Sequence, residues 1–152
     1  MNIRILTQSD LTDIAVILDD TDLFPAELLG EMIAPFFDEP DSFEKWLVCE
    51  ERGIGVVGFG YFRPEPLAEG TWNLLAIGFR KDHQGHGYGA TLVAEVEKTL
   101  AQERVLIVET SGLDDFEATR TFYDRCGYDR EAVIRDYWAD GDDKVIYRKK
   151  LN

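Results

Sequence analysis

A chain of 152 residues with 45% apolar and 30% charged residues has the composition of one globular domain and excludes a disordered protein. Its formal net charge of −14 argues against a general nucleic-acid binder and against binding to an anionic membrane. Cys49 and Cys126 have no metal-ligand spacing, and no signal peptide is visible, so we expect two buried thiols, no metal site and a cytoplasmic location.

The first half of the chain predicts a strand, two helices and a hairpin. IRIL near the start is typical of a strand, and residues 10–20 place Leu11, Ile14, Ala15 and Leu18 on one helical face. A second helix is predicted over residues 26–37. WLVCEE and IGVVGFGYF flank Arg52-Gly53, which predicts a hairpin turn, and TWNLLAIGF (71–79) predicts a further strand.

The second half alternates helices and strands. A helix follows residue 89, RVLIVE (104–109) predicts a buried strand, and the spacing of Asp114 and Glu117 predicts a capping box for a helix over residues 115–126 that ends at Gly127. A last hairpin is predicted over residues 128–138 and 143–150. The order β-α-α-β-β-β-α-β-α-β-β predicts an α/β fold, a mixed and mostly antiparallel sheet flanked by helices, in a single domain spanning residues 1–152.

The negative charge is concentrated in residues 10–51, which hold 13 acidic residues and one basic residue, Lys45. Two interpretations stay open, a solvated acidic surface and an acidic wall that attracts a cationic ligand. Aromatic residues within the segment would suit a cation as well, namely Phe24, Phe36, Phe37, Phe43 and Trp46.

The most informative stretch is Gln84-Gly-His-Gly-Tyr-Gly89, between a strand and a helix. Alternating glycines allow left-handed backbone and close approach of a ligand, and the start of the next helix offers unpaired N–H groups to an anion. Arg80 and Lys81 add positive charge nearby, and both histidines of the chain, His83 and His86, also lie here. The alternative is a glycine-rich turn without a ligand.

A dinucleotide site is a competing interpretation, because Gly85, Gly87 and Ala90 match G-x-G-x-x-A and Glu109 ends a later strand. Three features argue against it. Residues 80–84 separate the glycines from their strand, the pattern begins only at residue 84, and too little chain follows Glu109 to complete that fold.

A second pattern, Ala118-Thr-Arg-Thr-Phe-Tyr-Asp-Arg-Cys-Gly127-Tyr128, lies about 35 residues after the glycines. Together, Gln84-x-x-Gly87-x-Gly89 and this A-x-x-F-Y-x-x-x-G-Y helix closely resemble the GNAT superfamily of N-acetyltransferases. The resemblance extends over the whole domain. Residues 10–63 lack a family-specific motif, and this is the half in which the family diverges to bind its acceptors.

The resemblance implies acetyl-CoA as cofactor, bound mainly by backbone groups. The loop would hold the pyrophosphate, and the strand end would pair with the pantetheine arm and offer N–H groups to the oxyanion of the acetyl carbonyl. The implied cofactor-binding residues are Ile77, Gly78, Phe79, Gln84, Gly85, His86, Gly87, Tyr88, Gly89 and Ala90. Asp115 stands where many members carry an asparagine near the pantetheine, so that contact is altered or lost.

Tyr123 occupies the family's general-acid position, with core packing beside Phe122 as the other interpretation. Some members carry a glutamate base where this chain has Thr71, so the base is open: Glu109, which is equally well explained as a solvated strand-end acid, or a water relay. No cysteine or serine lies in a nucleophile motif. The implied reaction is direct attack of an amine on acetyl-CoA.

The resemblance implies a small-molecule amine or a peptide amine as acceptor and leaves room for a homodimer, and the net charge argues for no nucleic acid and no membrane partner. The alternative is a non-catalytic acyl-CoA-binding or sensing domain that keeps the loop without turnover.

Overall fold

The computed structural model describes the whole chain, Met1–Asn152. Its strands are β1 (Asn2–Ile5), β2 (Lys45–Glu51), β3 (Gly55–Pro64), β4 (Thr71–Phe79), β5 (Val105–Ser111), β6 (Asp129–Ala139) and β7 (Asp142–Lys150). Its helices are α1 (Leu11–Asp20), α2 (Leu29–Asp38), α3 (Tyr88–Thr99) and α4 (Glu117–Arg125). None of these helices has the length and apolar character that crossing a membrane requires.

The strands form one seven-stranded sheet in the order β1-β2-β3-β4-β5-β7-β6. The pairs β1–β2, β2–β3, β5–β7 and β6–β7 are antiparallel, whereas β4 and β5 are parallel. Parallel neighbours need a crossover connection, and α3 lies between β4 and β5 in the chain. The predicted order of elements and the predicted α/β class with a mixed, mostly antiparallel sheet are confirmed.

The chain forms two compact units, one of residues 1–63 and 75–96 and the other of residues 64–74 and 97–152. In the first unit, α1 buries Ile14, Ile17 and Leu18 in an apolar core shared with α2, β2 and β3. Burial of each such side chain contributes about 1.5–3 kcal/mol, which is what holds the helices against the strands.

Trp46 belongs to this core. Its indole is 1% exposed and stacks on Tyr61 at 4.2 Å and on Phe59 at 5.7 Å between ring centroids. The prediction that Trp46 offers a face to a cation is therefore wrong, because the alternation of β2 turns this side chain inward. Phe24, Phe36 and Phe37 pack at the edge of the same core, and Phe43 is 65% exposed.

Close packing around two glycines positions the C-terminal end of β4. A Cβ on Gly58 would lie 2.3 Å from the ring of Phe79, and a Cβ on Gly78 would lie 2.7 Å from Leu23 Cδ1. The ring of Phe79 is buried and cannot give way, so position 58 requires glycine, whereas Leu23 is 41% exposed and its end can move away from position 78. The packing holds the end of β4, from which the glycine loop departs.

In the second unit, β5 and β7 pair from Val105 with Lys150 to Ser111 with Lys144. Arg120 on α4 is 8% exposed and donates to the carbonyl oxygens of Ser111 and Leu113, both at 2.8 Å. This buried guanidinium ties α4 to the end of β5. The helix stops at Gly127, as predicted, because that residue takes φ 84°.

Two local predictions are wrong. The capping box of Asp114 and Glu117 does not form, because a 3-10 turn over Asp114–Phe116 leads into α4 and no side chain caps either element. Cys49 is buried as expected, but Cys126 is only half-buried, because it lies at the end of α4 rather than inside it.

Candidate active site

The glycine loop leaves β4 at Arg80, makes a 3-10 turn over Lys81–His83, and enters α3 at Tyr88. Gly85 and Gly87 have φ angles of 76° and 80°, and a Cβ at either position would meet no atom within 4 Å. The chain therefore needs these glycines for their backbone conformation and not for internal packing. The space in front of them is open, and residues 84–87 are exposed.

Hydrogen bonds at both ends hold the loop in place. Gln84 Nε2 donates to the carbonyl oxygen of Phe79 at 3.1 Å, and the Thr91 N–H donates to the oxygen of Gly87 at 3.2 Å. The first N–H groups of α3 lack intrahelical partners, as at any helix start. A fixed loop that presents such N–H groups to open space suits an anionic ligand.

The positive charge around the loop is smaller than the sequence suggests. Arg80 Nη2 pairs with Asp13 Oδ1 at 2.9 Å, and His83 lies between Glu51 and Asp82 at 3.2 and 2.7 Å. These contacts attach the loop to α1 and β2 and compensate the charge of Arg80. Positive character at the loop thus comes mainly from the helix start and from exposed Lys81.

The last residues of β4, just before the loop, lie beyond the strand's pairing with β5. The parallel pairing of β4 with β5 runs from Thr71 with Val105 to Leu74 with Val108. The predicted pantetheine-binding residues Ile77, Gly78 and Phe79 come after the last of these pairs. They lie in the first unit together with Gln84 to Ala90.

Tyr123 lies on α4, 2% exposed, among aromatic rings. Its ring centroid is 5.1 Å from that of Phe122, 5.7 Å from that of Tyr128 and 5.5 Å from that of Tyr147. Burial raises the pKa of Tyr123 well above the ordinary value of a tyrosine, with a smaller contribution from Cys126. The phenol is therefore protonated at neutral pH, which a proton donor requires.

Glu109 and Asp115 lie in the same unit as Tyr123 but in different surroundings. Glu109 Oε2 forms an ion pair with Lys144 Nζ at 2.8 Å. Glu109 is therefore not a freely solvated acid at the strand end, which was one of the two interpretations of the sequence. Asp115 is exposed in the turn before α4. Lys144 therefore occupies the carboxylate that a role as base would need.

The exposed face of α4 carries a feature that the sequence analysis missed. A shallow open groove of about 450 Å³ is lined by Glu117, Ala118, Thr121, Phe122 and Arg125. Ala118 and Phe122 come from the recognised helix pattern, and Arg125 adds a cation at the rim. The sequence did offer an indication of this cation, because Arg125 follows Thr121 by one helical turn and so lies on the same face of α4.

The acidic segment is partly neutralised. At least four of its 13 acids pair with arginines within the first unit: Asp10 and Glu50 with Arg4, Asp13 with Arg80, and Glu44 with Arg63. Glu51 contacts the ring of His83. These paired acids therefore contribute to contacts within the folded unit and not to a free acidic surface. The exposed remainder includes Asp19, Asp20 and Asp22 around the end of α1.

Comparison with known proteins agrees with this architecture. A family model described as Acetyltransferase (GNAT) family matches residues 13–128. No curated protein sequence is significantly similar to this chain. A crystal structure from Desulfovibrio desulfuricans, assigned as an acetyltransferase of the GNAT family, is 28% identical with a TM-score of 0.91, covering 99% of both chains.

Two further solved structures share the fold at lower identity. A protein from Salmonella typhimurium, assigned as an acetyltransferase and solved with its cofactor acetyl-CoA, is 17% identical with a TM-score of 0.79, covering 100% of this chain and 94% of its own. The ribosomal-protein-S18-alanine N-acetyltransferase of Escherichia coli is 17% identical with a TM-score of 0.78, covering 99% and 94%. The family match spans both the glycine loop and the α4 pattern, and the chain therefore belongs to the GNAT acetyltransferase family.

Proposed function

We propose that residues 1–152 act as one acetyl-CoA-dependent N-acetyltransferase domain. The observation that carries the proposal is the exposed glycine loop, in which two left-handed glycines with open space around them lead into the start of α3. Family membership supplies the ligand that such a loop holds.

The backbone from Gln84 to Ala90 binds the pyrophosphate of acetyl-CoA, and the backbone of Ile77 to Phe79 pairs with the pantetheine arm as an added strand. Arg125 at the rim of the α4 groove suits a phosphate, and exposed Asp115 replaces an amide contact to the pantetheine.

The reaction is direct transfer. The neutral amine attacks the acetyl carbonyl, a C–N bond forms, and the C–S bond breaks to release the thiolate of CoA. Tyr123 donates its proton to the thiolate, and the proton lost by the amine goes to Glu109 or to water. N–H groups on β4 stabilise the oxyanion of the tetrahedral intermediate.

A second candidate is an acyl-CoA-binding domain without turnover. Two observations favour it: Tyr123 is almost wholly buried, and Glu109 is engaged by Lys144. Both functions predict binding of acetyl-CoA, but only the enzyme releases CoA in the presence of an amine.

The first test is ligand selectivity in thermal unfolding. Acetyl-CoA at ~100-fold above its dissociation constant should stabilise the fold by about 2.7 kcal/mol. NAD⁺, which also carries a pyrophosphate, should not. Stabilisation by NAD⁺ and not by acetyl-CoA would favour the dinucleotide interpretation and contradict the proposal.

A further inference from the structure

Three side chains at the end of β5 and in β6 surround the ammonium group of a fourth, Lys144 on β7. Lys144 Nζ lies 2.8 Å from Glu109 Oε2, 4.0 Å from the centroid of the Tyr137 ring and 5.7 Å from that of Trp138. A carboxylate combined with two aromatic faces is the arrangement by which proteins recognise cationic ligands. All four residues belong to the second unit.

The backbone of β6 is shaped to place the two rings. Its pairing with β7 is interrupted between Ile134 and Ala139, so residues 135–138 leave the regular ladder. Asp136 takes φ 55°, donates its N–H to Asp143 Oδ1 at 3.0 Å, and accepts at Oδ1 from the Gly141 N–H at 2.8 Å. Such an irregularity redirects side chains, and here it turns consecutive aromatic residues toward Lys144.

Trp138 is fixed by one more contact. Its indole Nε1 donates to the carbonyl oxygen of Thr110 at 3.4 Å. Thr110 directly follows Glu109 in the chain. Tyr137 and Trp138 pack edge to face at 4.7 Å between centroids. The rings are thus held against the end of β5, beside the carboxylate.

The enclosed cation and the enclosing rings differ in exposure. Lys144 is 7% exposed, whereas Tyr137 is 50% and Trp138 is 47% exposed. Burial works to lower the pKa of Lys144, but the Glu109 carboxylate outweighs it and holds that pKa above the ordinary value of a lysine. The ammonium of Lys144 therefore lies against two rings that a ligand can reach from solvent.

We propose that Glu109, Tyr137 and Trp138 form an ammonium-binding box for a small alkylammonium acceptor, and that Lys144 fills this box until the acceptor displaces it. The proposal deepens the proposed transferase function, on which it rests for the identity of the ligand as acceptor. One cation replaces another, so the Glu109 carboxylate is never left unpaired during the exchange. Displacement of Lys144 also leaves Glu109 next to the ammonium that must lose a proton before attack.

The test uses Lys144→Met, which removes the internal cation and keeps a side chain of similar length. Propylammonium is titrated against the full-length protein without acetyl-CoA, and binding is followed by tryptophan fluorescence, to which exposed Trp138 responds because Trp46 and Trp72 are buried. We expect Lys144→Met to bind propylammonium roughly 10-fold more tightly than wild type. Neutral propanol should not bind, and adding Glu109→Gln should abolish the gain.

Lys149→Met is the matched control. Lys149 Nζ pairs with Glu97 Oε2 at 2.9 Å and lies 5.3 Å from the ring of Tyr128, but Tyr128 is only 4% exposed. A buried ring offers no entry, so this variant should gain no affinity. Equal affinity of Lys144→Met and wild type, or a gain that survives Glu109→Gln, would overturn the proposal.

A second variant keeps the test decisive if Lys144→Met does not fold. Trp138→Leu alters a half-exposed ring, and in an otherwise wild-type enzyme it should raise the KM of the acceptor roughly 10-fold without changing the affinity for acetyl-CoA. An unchanged KM would contradict the box. The propylammonium titration needs no turnover, so its failure is distinguishable from failure of the transferase function.

Discussion

At the scale of single residues, Tyr123 is a phenol held among three aromatic rings. Burial raises its pKa, so the phenol keeps its proton at neutral pH. The same burial makes the side chain part of the packing of α4. A test of its chemistry must therefore separate the hydroxyl from the ring.

Tyr123→Phe makes that separation. The variant should lower kcat by about 10²-fold or more, because it removes a general acid, while the ring packing and the affinity for acetyl-CoA stay nearly unchanged. Steady-state kinetics and thermal unfolding of the same preparation measure both.

Tyr128→Phe is the matched control, since it also removes one buried phenolic hydroxyl. That hydroxyl donates to Glu97 Oε1 at 2.9 Å, so its loss should reduce stability by about 1 kcal/mol and leave kcat largely intact. A similar fall of kcat in both variants, or in neither, would show that Tyr123 serves packing alone.

At the scale of elements, the glycine loop joins β4 to α3 through backbone conformations that other residues rarely adopt. Gly87→Ala should abolish or strongly weaken the stabilisation by acetyl-CoA, because a φ of 80° is strained for alanine and the loop would rearrange its N–H groups. Thermal unfolding with and without acetyl-CoA measures this change.

Gly53→Ala provides the comparison for Gly87→Ala. Gly53 lies in the β2–β3 turn and has φ 84°. A Cβ at this position would likewise meet no atom within 4 Å. Both variants should lose similar intrinsic stability, but only Gly87→Ala should lose its response to acetyl-CoA. Loss of the response in both would mean that strain, and not the loop's contacts, explains the effect.

Another element-scale contact joins β1 to the turn before α1. Arg4 donates to Asp10 at 2.7 and 2.9 Å, and these hydrogen bonds lower the pKa of Asp10 to about 2, against the effect of its burial. A lowered carboxyl pKa stabilises the fold above the pKa of the unfolded state, about 3.9, and this contribution is lost as pH falls toward about 2.

Asp10→Asn should therefore lower the free energy of unfolding by about 1–2 kcal/mol near pH ~7, and the difference from wild type should shrink to about half near pH ~3. Urea unfolding at the two pH values measures it. A difference that is the same at both pH values would assign the effect to packing and not to charge.

Local periodicity was enough to predict the elements, because α1, β4 and the final hairpin each follow one clear pattern with turn residues at their ends. The glycine loop was predictable for the same reason, since its signal is contiguous. The Lys144–Glu109 pair and its aromatic box were not, because they join residues 35 positions apart through strand register and an irregular β6. The ion pair of Arg80 with Asp13 was also not predictable, because the two residues are far apart in the chain.

At the scale of the whole molecule, the net charge of −14 influences how fast charged ligands encounter the protein. It favours the encounter with a cationic acceptor and opposes that with the anionic donor, which relies on local N–H groups. We predict that kcat/KM for the preferred acceptor falls as ionic strength rises and the Debye length shrinks below ~8 Å.

The control for this salt effect is a neutral or anionic amine of similar size, whose kcat/KM should not fall. A preferred acceptor that carries no extra positive charge, or a rate indifferent to salt, would show that the acidic segment of residues 10–51 is a solvated surface.

The most direct measurement of the central claim is amine-dependent release of CoA. The wild-type protein is incubated with acetyl-CoA and a panel of alkylamines, polyamines, amino acids and peptides, free thiol is followed over time, and acetylated products are identified by mass. An enzyme should release thiol in equal amount to an N-acetylated product for at least one class of amine, many turnovers per protein molecule. Binding of acetyl-CoA without amine-dependent thiol release would contradict the transferase and leave the acyl-CoA-binding function.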